Sequence, residues 1–150
     1  MYSKKIDEII EYIKSEIELG DNEINSINNM VKLIDDYVPT DLPVLFRRLD
    51  SIISATGDIS WTLAVLKKHR AKINAEYKQL KDPQFTSLTR KGRPSTIAIE
   101  SEIRFNIPEV AEYEKRLEIL DGFIEYIEHL LKVSDSMQWA IKDRVALSKI

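Results

Sequence analysis

The feature that most narrows the fold is a pair of apolar seams in residues 106–150. Val110, Tyr113, Leu117, Leu120, Ile124, Ile127 and Leu131 recur at alternating steps of three and four. That is the heptad spacing that lines one side of an α-helix. Ile119, Phe123, Tyr126, Leu130, Val133 and Met137 form a second seam beside the first. A face so wide exceeds what one helical neighbour covers. The helix is therefore expected to touch two neighbours: helices of its own chain, of another copy, or both. The class that follows is all-α, a helical hairpin arm plus a long C-terminal helix.

The rest of the chain repeats the helical period in shorter pieces. Ile6, Ile9, Ile10, Ile13 and Ile17 predict a helix over 3–19, closed by Gly20, with Asp21 as the cap of the next. Ile24, Ile27, Met30, Val31 and Ile34 stripe a second helix over about 22–37. Pro39 ends it, Thr40 and Asp41 can cap a third helix, and Pro43 is tolerated in that helix's first turn. Leu45, Leu49, Ile52 and Ile53 give the third helix its apolar side. Ser54 to Asp58, with Gly57 inside, predicts a break or kink, since glycine costs about 1 kcal/mol in a helix interior. Ile59, Leu63, Leu66, Ile73, Tyr77 and Leu80 then carry a fourth helix to Lys81, where Asp82-Pro83 is expected to stop it. Residues 83–94 read as a loop. Ser95 caps a short helix to about Arg104, and Asn106 is expected to cap the last one, with Pro108 in its first turn. These pieces divide into an N-terminal helical pair, 1–38, and a larger helical domain, 39–150.

Composition excludes several classes. The 150 residues suffice for one domain with a real core. No cysteine is present, so disulfides, thiolate metal sites and cysteine nucleophiles are ruled out. The N-terminal residues lack an apolar signal region, and no apolar run approaches the roughly 20 residues of a membrane span. The expectation is a soluble cytoplasmic protein with no membrane partner.

Charge is unevenly placed. Nine cations lie between Lys67 and Arg93: Lys67, Lys68, Arg70, Lys72, Lys78, Lys81, Arg90, Lys91 and Arg93. Glu76 and Asp82 are the acids there, so the window carries +7 while the whole chain carries −3. It can be a solvated helix face with a basic loop, or a track for phosphates, where several cations displace the counterions of a nucleic-acid backbone. Phe85 is a candidate for stacking on bases, and Tyr77 fits the apolar stripe better. Arg90-Lys91-Gly92-Arg93-Pro94 looks like the short core of a minor-groove hook, and also suits a phosphate-touching loop or a plain connector. Catalytic motifs are missing. His69 and His129 stand apart, and Glu125-Tyr-Ile-Glu128-His129 has the wrong spacing for a helical di-iron site. There is no nucleotide-binding glycine loop or zinc-protease signature. No catalytic residue, metal ligand or cofactor is expected, and the protein is read as a non-enzyme.

From about Val44 to Ser148 the chain resembles the UvsY-type recombination mediators of large phages. The likeness rests on the basic helix Leu66-Lys67-Lys68-His69-Arg70-Ala71-Lys72-Ile73, the polar connector from Ser87 to Ser95, and the long last helix with its Lys/Arg-bearing tail from Leu131 to Arg144. The resemblance implies a homo-oligomeric, ring-forming binder of single-stranded DNA. Such a protein helps load a RecA-like recombinase onto DNA coated with single-strand-binding protein. It implies DNA contacts through Lys68, Arg70 and Lys72, to which the charge pattern adds Lys67, Phe85, Arg90, Lys91 and Arg93. Oligomerisation is expected through Leu117, Leu120, Phe123, Ile124, Ile127, Leu130 and Leu131. The competing expectation is a helical structural or protein-interaction subunit, such as a virion component or host-factor binder.

Overall fold

A computed structural model describes residues 11, 20–36, 42–92 and 95–148. Four helices account for nearly all of them, and no strand occurs among the described residues: α1 (Asp21–Asp35), α2 (Leu42–Arg90), α3 (Thr96–Asn106) and α4 (Pro108–Ser148). The helix expected over 3–19 and the caps expected at Thr40 and Asp41 lie outside the described residues. The chain divides into two compact units, Met1–Leu66 with Phe123–Ile150, and Lys67–Gly122. This cuts the chain elsewhere than the boundary expected near residue 38.

In the first unit α1 buries Ile24, Ile27, Met30 and Val31, the stripe that its sequence spaces at three and four. Asp21 is the first residue of this helix, not its cap. Gly20 holds the cap position, and the Glu23 carboxylate folds back into the space where a Cβ on Gly20 would sit. At the far end the Arg48 guanidinium donates to the Asp36 carbonyl at 2.9 Å, giving a partner to backbone just past the last turn. Ile52 of α2 packs with Met137 and Ile141 of α4, flanked by Ile34, Leu49, Val133 and Val145. Beside them lies a polar knot. Thr56 Oγ1 and Ser134 Oγ share a hydrogen bond of 2.7 Å, and Gln138 Nε2 donates to Thr56 at 3.2 Å. Ser134 is fully buried, so these bonds replace those it would make with water.

The second unit closes around Leu88, Ile99, Ile103 and Val110, with Tyr77, Leu80, Phe85 and Ile107 packed against them. Ser95 caps α3 as its sequence suggests, its hydroxyl accepting from the Ala98 amide at 3.1 Å. Asn106 does not cap α4. It is the last residue of α3, and Ile107 makes the corner before Pro108 opens α4. Proline suits that first position because its missing N–H has no helical acceptor there.

Two expected interruptions of α2 do not occur: the helix runs unbroken for 49 residues. Gly57 lies exposed, with open space around it. Its cost of about 1 kcal/mol is set against burial of Ile52, Ala55, Ile59 and Leu66 on the opposite side. Burying even one such side chain contributes about 1.5–3 kcal/mol. Pro83 also sits inside the helix. It leaves the Gln79 carbonyl without its helical donor, but Gln79 and Pro83 are exposed, so water can take that bond. Continuing past Pro83 buries Leu88, which a loop over 83–94 would have left to solvent. The helix ends at Arg90, and in the turn after it Gly92 has a φ of 79°, in the left-handed region that glycine adopts freely.

Candidate nucleic-acid interface

The C-terminal half of α2 places the charge-rich window on one helix, and the helical period sorts it. Ile73, Tyr77, Leu80 and Leu88 face inward. At about 100° per residue, Lys68, Lys72 and Arg90 then fall on the opposite side, with Lys67 and Lys78 on its flank. All five are exposed, as is Lys91 in the turn that follows. At 1.5 Å per residue, Lys68 to Arg90 spans about 33 Å. Ala71, Ala75, Gln79 and Thr86 fill the gaps without opposing charge, and Asp82 is the acid on this side.

Two cations of the window point elsewhere. Arg70 is turned toward α4, where its Nε and Nη2 donate to the two carboxylate oxygens of Asp121, the second at 3.3 Å. That hydrogen-bonded pairing raises the guanidinium pKa further and holds the charge against a carboxylate of the same unit. Arg70 is thus tied to Asp121, with both side chains partly exposed. Lys81 donates to Glu100 Oε1 of α3 at 3.3 Å and lies over the Tyr77 ring. Burial pulls its pKa down, but the Tyr77 and Glu100 interactions outweigh it, and the net direction is up. Arg93 lies outside the described residues.

Phe85 is half-buried and packs against the Leu88–Ile99–Ile103–Val110 cluster, so it is not the stacking residue expected. The exposed ring of this unit is Phe105, 86% accessible on α3. Lys78, outside the expected contact set, is exposed on the same helix. Treating 67–90 as one helix places it on the flank of the face. Elsewhere in the unit acids outnumber bases, and one cation is paired. Arg104 grips Glu114 through two bonds of 2.9 and 2.7 Å, which hold the Glu114 carboxyl below its usual range. Tyr113 donates its hydroxyl to Glu76 at 3.1 Å, and that bond raises the phenol pKa.

The residues expected to join copies are in the core. Leu117, Leu120, Phe123, Ile124, Ile127 and Leu130 are buried within the single chain, and Leu131 is half-buried. Most of both seams is buried by intrachain packing, with Tyr113, Ile119, Tyr126, Leu131 and Val133 half-buried. Among the described residues no group of three His, Asp or Glu is placed to hold a metal ion, and no helix is long and apolar enough to cross a membrane.

No family model, curated protein or solved structure matches this chain. The likeness to recombination mediators therefore stands on the sequence features alone.

Proposed function

We propose that the protein is a non-enzymatic nucleic-acid binder that lays a phosphodiester strand along the solvent face of α2. The observation that carries this is the row Lys68, Lys72 and Arg90, flanked by Lys67 and Lys78, all exposed on one helix, with exposed Lys91 in the turn after it. Cations so arranged displace counterions from a phosphate backbone, a source of affinity that ignores sequence. With Phe85 packed away, the face offers no ring for bases, so the contact is with phosphates. The preference for single strands expected from the sequence loses that support. The proposed setting is assembly of a recombinase on DNA, the role that the mediator resemblance implies.

Fluorescence anisotropy with labelled single-stranded and duplex oligonucleotides tests the reading. Affinity is expected to fall more than about tenfold between 50 and 200 mM salt. The variant K68E/K72E/K78E is expected to lose binding, whereas Arg70→Ala should weaken it through loss of packing more than loss of contact. Binding that is indifferent to salt, or that survives the triple reversal, overturns the proposal. A second reading, a protein-interaction subunit, draws on α3, which exposes Ile97 and Phe105 opposite the buried Ile99 and Ile103. Purified protein free of nucleic acid by its absorbance ratio before any salt wash favours that reading.

A further inference from the structure

With most of both α4 seams buried inside the chain, the more exposed apolar row lies on the N-terminal half of α2. Phe46, Ile53 and Trp61 are 48%, 47% and 69% exposed. They lie on the side of the helix opposite the buried Ile52, Ala55, Ile59 and Leu66. Gly57 and Ala64 stand between and beyond them, also exposed. Phe46 and Ile53 are one heptad apart, as are Gly57 and Ala64. The row is thus a seam of the kind that pairs helices, with large knobs beside a glycine that leaves a hole. No side chain lies within 4 Å of the place where a Cβ on Gly57 would be.

We infer that this seam joins two copies of the chain as an antiparallel, two-fold helix pair centred beside Ile53. A second copy is the fitting occupant because the seam complements itself in one orientation. Counting outward from the centre, Phe46 of one copy meets Trp61 of the other, twice, and Asp50 meets the hole at Gly57. The flanking charges select the direction. Arg47 falls within about 3 Å along the axis of the partner copy's Asp58 when the helices run antiparallel, on the same flank. A parallel pair would set these two residues on opposite edges of the interface, where neither meets the other. A two-fold axis makes every contact occur twice, so one matched pair of residues counts double. Trp61 is the anchor, since large aromatic side chains carry much of the binding energy of interfaces.

The absence of native cysteine makes a clean test possible in the full chain. Ile53→Cys alone is expected to form a disulfide-linked dimer under mild oxidation, because the two copies of residue 53 lie beside the axis. Phe46→Cys and Trp61→Cys should each crosslink poorly alone and well when mixed. Light scattering across a concentration series gives the second readout. Trp61→Ala is expected to raise the dimer dissociation constant at least about thirtyfold. Arg47→Glu and Asp58→Arg should each raise it about fivefold, and the double exchange R47E/D58R should recover most of the loss. These positions are exposed, and circular dichroism checks that each variant stays folded. A protein that is monomeric at every concentration overturns the inference. So does a dimer in which Phe46→Cys and Trp61→Cys each crosslink to themselves, or one that the charge exchange fails to rescue.

Discussion

The two halves of α2 share an interior and differ on the outside. In both, apolar residues spaced at three and four turn inward: Ile52, Ala55, Ile59 and Leu66 in the first half, Ile73 and Leu88 in the second. The solvent sides diverge. Before Leu66 the exposed positions include Phe46, Ile53 and Trp61, and after it Lys68, Lys72, Lys78 and Arg90. A helix needs only its inner stripe to pack, so its outer face is free to carry different chemistry along its length. The apolar stretch suits another helix, and the cationic stretch suits phosphates. One continuous element can in this way hold two surfaces with separate partners.

The sharpest way to break the comparison is to change the two sides of one turn. Ile59→Ala, at a fully buried position, is expected to cost about 2–5 kcal/mol in denaturant unfolding. Ile53→Ala, on the outer side, should cost well under about 1 kcal/mol at concentrations where the chain is monomeric. Equal losses would mean that the outer row is not a surface. The same contrast holds for charge. The variant K68E/K72E/K78E should lower oligonucleotide affinity at least about tenfold, while K132E/K142E/R144E, reversing exposed cations of α4, should lower it less.

Pro83→Ala asks whether α2 truly passes through residue 83. Restoring an N–H to the Gln79 carbonyl inside a helix is expected to stabilise the protein by about 1–3 kcal/mol. In a loop the same change would be neutral or slightly destabilising. Ser134→Ala removes one member of the knot with Thr56 and Gln138. It should cost about 1–2 kcal/mol, since the remaining groups are left short of partners. The smallest effect is on pH dependence. Bonding from Arg104 depresses the folded-state pKa of Glu114. Its contribution is therefore present above the ordinary carboxylate range and fades as pH falls through the depressed folded value. Both side chains are partly exposed, so the loss should stay below about 1 kcal/mol. Comparing the acid limb of Glu114→Gln with that of the parent reads it directly.

Much of this was legible in the residues. The stripe of α1, the Ser95 cap, Pro108 at the start of α4 and the width of the α4 face all follow from spacing and side-chain type. So does the gathering of positive charge between Lys67 and Arg93. At Gly57 and Pro83 the local cost of the residue points to an interruption, and the burial that depends on the continued helix outweighs it. Leu88 is what carries the helix past Pro83, and its partners Ile99, Ile103 and Val110 come from later in the chain.

The sequence by itself determined that the chain is helical, which side of each helix is apolar and where positive charge concentrates, because the helical period relates residues only three or four apart. Tertiary structure alone decided which of those features remain on the surface. Arg70 looks like its neighbours Lys68 and Lys72 until Asp121, 51 residues away, pairs with it. The seams of α4 suit helices of the same chain or of another copy, and the chain's own packing covers most of them. Such outcomes depend on contacts between distant residues, and local spacing carries no information about them.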